Sequence, residues 1–387
     1  MTTIRRTFKY RMYENRRNKQ LHREIDVAGI IWNHCVALQR RYYRLTGGYI
    51  HKYRLMKHIA KLRMRAERFA YWQIVGSQAV QDTIERLDLA YQAFFAYKRG
   101  ETSLKRGRPR FKKVKKYTSF TLKQAGWKLL GGNRVKLGDH NYKFAKSREI
   151  EGQIKTVTIK RDRVGRLFIC FSVAQEIEPP KQASTGKSGG FDFGLRVFLS
   201  DDEGRQHSMP QFFKESLEEI ARLNRALSRK QPGSHNREKA RRRLARAHAR
   251  LADRRRDYHF KLARRLAAEY DRLFFEDLNV KAMQQMWGRK VSDLGFAGFL
   301  KILEHEARML GKEVIQIDRF EPTTTVCSVC GHQQSMPLHV RVFACQNPAC
   351  GAVLDRDHNA ARNIKRVGAS TLRLEGVRRD PVPAALA

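Results

Sequence analysis

Residues 189–200 read Gly189-Gly190-Phe191-Asp192-Phe193-Gly194-Leu195-Arg196-Val197-Phe198-Leu199-Ser200. The apolar run with one acid predicts a strand, a turn at Gly194 and a second strand over 197–200. A carboxylate inside such a strand is costly unless it is paired, and metal coordination is one way to pair it. Outward from this stretch, Gly204 turns the chain into a short third strand. Two long helical stretches follow, 214–229 and 236–270, joined at Pro232-Gly233. The second carries an arginine-rich face over a thin seam of Leu244 and Leu251. A strand over 272–278, a helix over 296–310 and a strand over 313–317 complete the pattern. Strands, helices, strand, helix, strand is the order of an α/β layer with a mixed sheet.

Two further acids stand in comparable places. Leu273-Phe274-Phe275 runs straight into Glu276-Asp277 at a strand end. Asp355-Arg356-Asp357-His358-Asn359-Ala360-Ala361-Arg362-Asn363-Ile364 opens a helix. Singly, each has a plain reading: Asp192 as a turn former, Glu276 as a solvated strand end, Asp357 as an N-cap worth ~1 kcal/mol. Jointly, carboxylates from the first strand, a later central strand and the last helix of one layer form a constellation. Clustered carboxylates repel one another and need divalent cations to stay ionised together. Two Mg²⁺ ions there could activate a water and stabilise the leaving oxygen of a phosphodiester.

Between the last strand and that helix lie four of the six cysteines. Cys327-x-x-Cys330 and Cys345-x4-Cys350 supply four thiolates on two turns, each followed by a glycine (Gly331, Gly351) suited to φ > 0. Four soft ligands and no position for water indicate a structural Zn²⁺. Cys35 and Cys170 stand alone in apolar contexts, so the cysteines argue for a reducing compartment.

The 387 residues include 79 Lys or Arg against 38 Asp or Glu, a net charge of +41 spread from Arg5 to Arg379. Such a charge calls for a polyanionic partner, and its spread favours nucleic acid over a membrane surface. No run of ~18 apolar residues predicts a membrane span, and residues 1–12 hold no apolar leader segment. Residues 3–12 alternate as a short strand. From 16 to 99 the apolar period is helical, broken at Gly47-Gly48. The segment 105–116, Lys-Arg-Gly-Arg-Pro-Arg-Phe-Lys-Lys-Val-Lys-Lys, is either a solvated mobile loop or a phosphate-binding strap. Strands are expected over 118–122, 134–137, 154–161 and 166–173. Composition marks 178–190 as a linker. Its Gly186-Lys187-Ser188 is no P-loop, because Lys181 occupies the place of the required first glycine.

Taken together, Gly190-Phe191-Asp192-Phe193-Gly194, Phe274-Phe275-Glu276-Asp277-Leu278, the four-cysteine ribbon and the 355–364 motif closely resemble the TnpB family. These are transposon-associated RNA-guided DNA nucleases related to type V CRISPR effectors. The resemblance implies a multidomain α+β protein. A wedge, an oligonucleotide-binding β-barrel, would take residues 1–12 and 117–180 and be split by a helical recognition domain over 13–116. A RuvC-like RNase H fold would take 181–322 and 353–367, interrupted by a target-binding zinc ribbon over 323–352. By its own composition, with Pro381 and Pro383, the stretch 368–387 reads as a disordered tail, about which the resemblance implies little. Catalytic and Mg²⁺-holding roles fall to Asp192, Glu276 and Asp357, with Asp355 as a turn or cap residue. Zn²⁺ falls to Cys327, Cys330, Cys345 and Cys350. The implied reaction is hydrolysis of DNA next to a short motif, leaving a 5′-phosphate. Implied too are a transposon-derived guide RNA, double-stranded target DNA, no membrane, a monomer on its RNA, and a bacterial cytoplasmic, nucleoid-associated setting.

Phosphate contacts are expected from Lys112, Lys113, Arg242, Arg243, Arg255 and Arg256. Gln73, Ser77, Gln78 and Gln81, on a helix expected over 71–97, are candidates to read bases, since glutamine can pair bidentately with adenine. An exposed polar helix face is the plain alternative. Tyr42, Tyr43 and Tyr53 are candidates for base stacking, or packing residues. Three rival functions remain: a compact type V CRISPR effector, an RNase H-fold transposase acting without RNA, and a non-catalytic nucleic-acid-binding regulator. The intact acid trio speaks against the last.

Overall fold

The computed structural model describes residues 2–177, 184–337 and 339–371. The chain forms two compact units, Met1–Ile177 and Glu178–Ala387. In the first, β1 (Thr2–Arg11) leads into α1 (Asn18–Thr46), α2 (Lys52–Arg65) and α3 (Ser77–Lys98), with a 3-10 turn over Glu67–Ile74. The chain returns as β2 (Ser119–Leu122), β3 (Trp127–Leu129), β4 (Arg134–Leu137), β5 (His140–Lys143), β6 (Gln153–Arg161) and β7 (Leu167–Ile177). α1 ends as its glycines predict: Gly47 takes φ +68° and donates its N–H to the Tyr43 carbonyl at 2.8 Å, a turn that favours a residue without a β-carbon.

β1, β7, β6 and β2 form one antiparallel sheet, and β3, β4 and β5 a second. The expected barrel is therefore not closed. The outer edge of β2 is covered by α3, where Asp82 accepts from the Thr121 N–H (3.2 Å) and Arg86 donates to the Ser119 carbonyl (3.1 Å). An edge whose backbone groups are taken by side chains offers little to a further strand. The sheets and helices share one core, with Trp32, Trp72, Leu87, Phe8 and Phe171 among its buried residues.

The second unit begins with β8 (Ser188–Asp192), β9 (Leu199–Asp201) and β10 (Gln206–His207). It continues through α4 (Phe212–Glu215), α5 (Leu217–Ser228) and α6 (His235–Glu269) to β11 (Arg272–Glu276). After it come α7 (Val280–Leu294), α8 (Phe296–Met309), β12 (Glu313–Ile317), β13 (Val342–Ala344), β14 (Val353–Asp355) and α9 (Arg356–Thr371). The five-stranded sheet runs β10-β9-β8-β11-β12, mixed as expected: β8, β11 and β12 are parallel, β9 pairs antiparallel with β8, and β10 antiparallel with β9. Alternation along β11 sends adjacent phenylalanines to opposite faces. Phe275 stacks on Phe191 (centroids 5.1 Å apart) in the core shared with α6 and α8, while Phe274 packs with Ile364 and Ala369 of α9. Burial of each ring contributes about 1.5–3 kcal/mol.

Gly189 and Gly190 belong to β8 rather than to a linker. A β-carbon on Gly190 would stand 2.2 Å from the Ala361 carbonyl oxygen of α9, so this glycine is there for close approach, not flexibility. The expected tail is corrected in part: α9 continues to Thr371, with Gly368 and Ala369 buried. Residues 372–387 and the linker residues 178–183 lie outside the described residues. No helix among the described residues is long and apolar enough to cross a membrane.

Candidate metal centres

The sheet brings two of the three predicted acids together by register. Phe191 of β8 is paired in parallel with Phe275 of β11, so Asp192 and Glu276 follow side by side at the carboxyl ends of their strands. Asp357 arrives from the first turn of α9. Its Oδ2 lies 3.3 Å from where a β-carbon on Gly194 would stand, two residues beyond Asp192. Asp202 fixes this approach. Its carboxylate accepts from the Gly190 N–H (2.9 Å) and from Lys365 of α9 (2.6 Å), and its carbonyl meets His358 Nε2 at 3.1 Å.

The electrostatics record the convergence. Burial, then the charges of Asp357 and Glu276, push Asp192 up to about 8. Burial also raises Glu276, with Asp277 adding to the rise and a hydrogen bond from Thr323 opposing it. Asp357 is raised by burial and by Asp355, against the pull of Arg341 and Arg356. Burial and mutual repulsion oppose ionising all three together, and a cation between them would relieve that repulsion. The donor set is all oxygen, which fits Mg²⁺. Asp355 does different work: its Oδ1 accepts the N–H groups of Asp357 (2.9 Å) and His358 (3.2 Å), capping α9.

The four cysteines form the second centre. Among the described residues theirs is the one set of three or more metal-ligating groups with all ligand atoms within 4.8 Å of one another. The Sγ atoms of Cys330 and Cys345 are 3.6 Å apart, and those of Cys327 and Cys350 3.9 Å. Tetrahedral Zn–S bonds of about 2.3 Å would separate the sulfurs by about 3.8 Å, so the residues fit Zn²⁺. Gly331 (φ +78°) and Gly351 (φ +60°) turn the chain after each knuckle. Partial burial opposes ionisation of Cys330, yet the His332 backbone N–H and the neighbouring thiols draw it down to about 7.

Sequence reasoning missed what joins the two centres. Asn359 donates to the Val326 carbonyl (2.8 Å) and accepts from the Ser328 N–H (2.8 Å). One turn on, Asn363 donates to the carbonyls of Thr323 (2.8 Å) and Val326 (2.7 Å). Both asparagines are buried. They lash α9, which carries Asp357, to the chain entering the first cysteine knuckle. The available signal was a pair of asparagines four apart in a helix, where asparagine has poor propensity and needs a reason.

The nucleic-acid candidates divide. Segment 105–116 is pinned along α1: Trp32 Nε1 donates to the Arg110 carbonyl (3.2 Å), Asn33 bonds both backbone groups of Lys112 (2.8 Å each) and Arg40 reaches the Pro109 carbonyl (3.3 Å). Lys112 itself lies 3.5 Å over the Trp32 ring, so its ammonium is engaged in anchoring; Lys113 is exposed. Arg255 donates to the Ser292 and Asp293 carbonyls (2.7 and 3.1 Å) at the end of α7, which makes it a helix cap rather than a free phosphate contact. Arg242 shares Glu238 with Arg241, whereas Arg243 and Arg256 are exposed. Gln73 lies in the 3-10 turn, not in α3, and bonds the Arg63 carbonyl (2.8 Å). Gln78 accepts from the N–H groups of Lys123 and Gln124 (2.9 and 2.8 Å), so its carbonyl oxygen holds a turn. Ser77 and Gln81 are exposed on α3, as are Tyr43 and Tyr53 on α1 and α2; Tyr42 is half-buried.

Comparisons with known proteins agree with this architecture. Residues 169–286 match the OrfB_IS605 family model, described as "Probable transposase", and residues 296–364 match that of the Cas12f1-like TNB domain. In solved structures the fold is shared with Cas12f1 in its complex with sgRNA and target DNA (TM-score 0.53, 13% identity, 94% of this chain and 99% of that one). It is shared also with the mini-RNA-guided endonuclease Cas_phi3 (TM-score 0.50, 10% identity, 94% and 92%). A Streptomyces pristinaespiralis protein named "Putative RNA-guided DNA endonuclease" is 31% identical over 95% of this chain and 90% of its own length. InsQ of Escherichia coli strain K12, with the same descriptive name, is 26% identical over 91% and 89%. The mixed α/β fold is thus that of the compact Cas12-type proteins. The chain belongs to the TnpB family.

Proposed function

We propose that this protein is a transposon-encoded RNA-guided DNA endonuclease that cuts target DNA beside a short recognition motif. Family membership and the names of full-length relatives support the class. The observation that supports it in this chain's own residues is that Glu276 and Asp357 both act on Asp192, with all three carboxyls raised by burial. In this reading the three carboxylates hold a pair of Mg²⁺ ions. When bound, such ions supply a water activated at neutral pH and charge stabilisation at the leaving oxygen. β8 and β11 set two carboxylates at fixed separation, and α9, held by Asp202, brings the third.

Residues 1–12 and 117–180 serve as the wedge, 13–116 as the recognition domain, 181–322 and 353–367 as the nuclease domain and 323–352 as the zinc ribbon on the target. The +41 charge suits a guide RNA and a heteroduplex held through their phosphates while base pairing reads the sequence. Lys113, Arg243 and Arg256 are the exposed members of the predicted phosphate contacts, and Ser77 and Gln81 are the better-placed base readers.

The test uses protein purified with its bound RNA. Asp192→Ala should lower cleavage by at least about 10³-fold and leave guided target binding within about two-fold, because it removes a cation ligand and no basic contact. Undiminished cleavage by this variant with Mg²⁺ present overturns the site. Processing of transposon ends by RNA-free protein would instead favour a strand-transfer enzyme.

A further inference from the structure

Phe320 is 86% exposed, the most exposed of the large hydrophobic residues among those described. An isolated exposed aromatic on a mobile loop would need no explanation, but Phe320 is not loosely held. It lies three residues beyond the end of β12, whose Ile317 is paired with Glu276. On one side of it, Arg319 bonds the carboxylate of Asp277, next to Glu276. On the other, the Thr323 carbonyl accepts from Asn363 of α9, the helix that carries Asp357, at 2.8 Å. Asp318 Oδ1 accepts the Phe320 N–H at 2.8 Å, and the Glu321 N–H reaches the Asp318 carbonyl at 3.3 Å. The ring is thus carried on a turn tied at one end to the acid beside Glu276 and at the other to the helix that carries Asp357. That turn leaves the sheet at the carboxyl ends of the parallel strands, where open α/β sheets bind their ligands.

We infer that Phe320 forms a base-stacking subsite at the rim of the carboxylate centre, taking an unpaired base of the strand about to be cut. The inference rests on the endonuclease reading above. Guide pairing with one DNA strand leaves the other single-stranded, with its bases free to stack. A flexible single strand entering a site that acts on its backbone needs something that fixes its register. An aromatic face does this for any base, because every base has a π-face. Stacking would hold one nucleotide still and so set which phosphodiester reaches the acids. Phe320 is in this sense a positioning residue.

The experiment uses the complete RNA-loaded protein and measures single-turnover cleavage at saturating enzyme. Phe320→Ala should slow cleavage about ten-fold or more, the loss of one stacked base, with target affinity and Tm unchanged. Phe320→Trp should restore the rate. A series of targets, each with one abasic nucleotide in the strand cut, supplies a readout that structural damage would not produce. At one position near the cut, removal of the base should slow the wild type about as much as Phe320→Ala does, and should slow Phe320→Ala no further. Equal rates for wild type and Phe320→Ala, or full additivity at every abasic position, overturn the subsite. A wild-type complex that cuts no target at all overturns the endonuclease reading itself, so the two failures are told apart.

Discussion

The cysteine cluster and the carboxylate cluster are both candidate metal centres of the second unit, and they are built in opposite ways. The four thiols come from two short turns within 24 residues of chain, Cys327 to Cys350. The local turns around Gly331 and Gly351 bring them to sulfur separations of 3.6 and 3.9 Å. The three carboxylates come from β8, β11 and α9, and they approach one another only through a parallel register and a glycine-lined helix contact. The first centre can help its segment fold when it binds metal. The second carries a cost in repulsion, as the shift of Asp192 to about 8 records, which a bound cation would relieve. A centre made locally suits a structural role. A centre assembled from afar, on rigid elements and at a cost in repulsion, suits chemistry.

The sharpest way to break this contrast is inside the 355–364 motif, where both kinds of acid occur two residues apart. Asp357→Ala should reduce cleavage by about 10³-fold or more, while Asp355→Ala removes only a helix cap worth about 1 kcal/mol and should keep most activity. Parallel cleavage assays and zinc analysis of the two variants decide it, with zinc content expected to stay at the wild-type level in both. Comparable losses of cleavage would show that the cap and the metal ligand cannot be separated.

This distinction was partly legible in the sequence. Cysteine spacing is a local fact and needs no fold, so the four thiols and their glycines could be read directly. Asp192 and Glu276 could be found because a carboxylate ending an apolar run is conspicuous. The glycines at 189 and 190 could be placed in a strand but their role could not be read, because nothing local says that α9 crosses β8 so closely. Nor could the open sheet of the first unit, since it depends on Asp82 and Arg86 of α3 reaching the edge of β2. The basic candidates fared unevenly for a related reason. Composition reveals how much positive charge a chain has, but not how much of it the fold uses. Lys112 lies on Trp32 and Arg255 caps α7, whereas Arg243 and Arg256 face solvent. No element was expected over 280–294, where α7 forms with a break at Gly288, φ +40°.

A smaller effect tests whether the two centres are independent. Through Asn359 and Asn363, the chain entering the first knuckle holds the helix that carries Asp357. Cys345→Ser should lose zinc and, by loosening that anchorage, slow cleavage by about 10–100-fold, the usual scale for a supporting contact around a metal site. Asn363→Ala should slow cleavage on a similar scale while retaining zinc, since it cuts the tie and not the ligand set. Element analysis beside cleavage rates separates the cases. Zinc-free Cys345→Ser protein cutting at the wild-type rate would make the cysteine cluster a bystander to catalysis.

The smallest expected effect bears on the repulsion at the other centre. The folded-state value of Asp192 lies at about 8, above its ordinary 3.8. Between those values the folded chain retains a proton that the unfolded chain has released, so stability falls as pH rises through that window. The penalty is absent below about pH 4 and complete above about pH 8. Without added Mg²⁺, the wild-type Tm should therefore drop between pH 5 and pH 8 by a few degrees more than that of Asp192→Asn. The variant, neutral throughout, should melt higher at pH 8. Groups away from the cluster contribute to both proteins alike, so the difference between the two melting profiles reports Asp192 together with its coupling to Glu276 and Asp357. Added Mg²⁺ should shrink the wild-type drop and leave the variant nearly unchanged. Superimposable profiles would mean that Asp192 is ionised without a cation beside it, and the carboxylate centre would then resemble an ordinary solvated cluster more than a site waiting for metal.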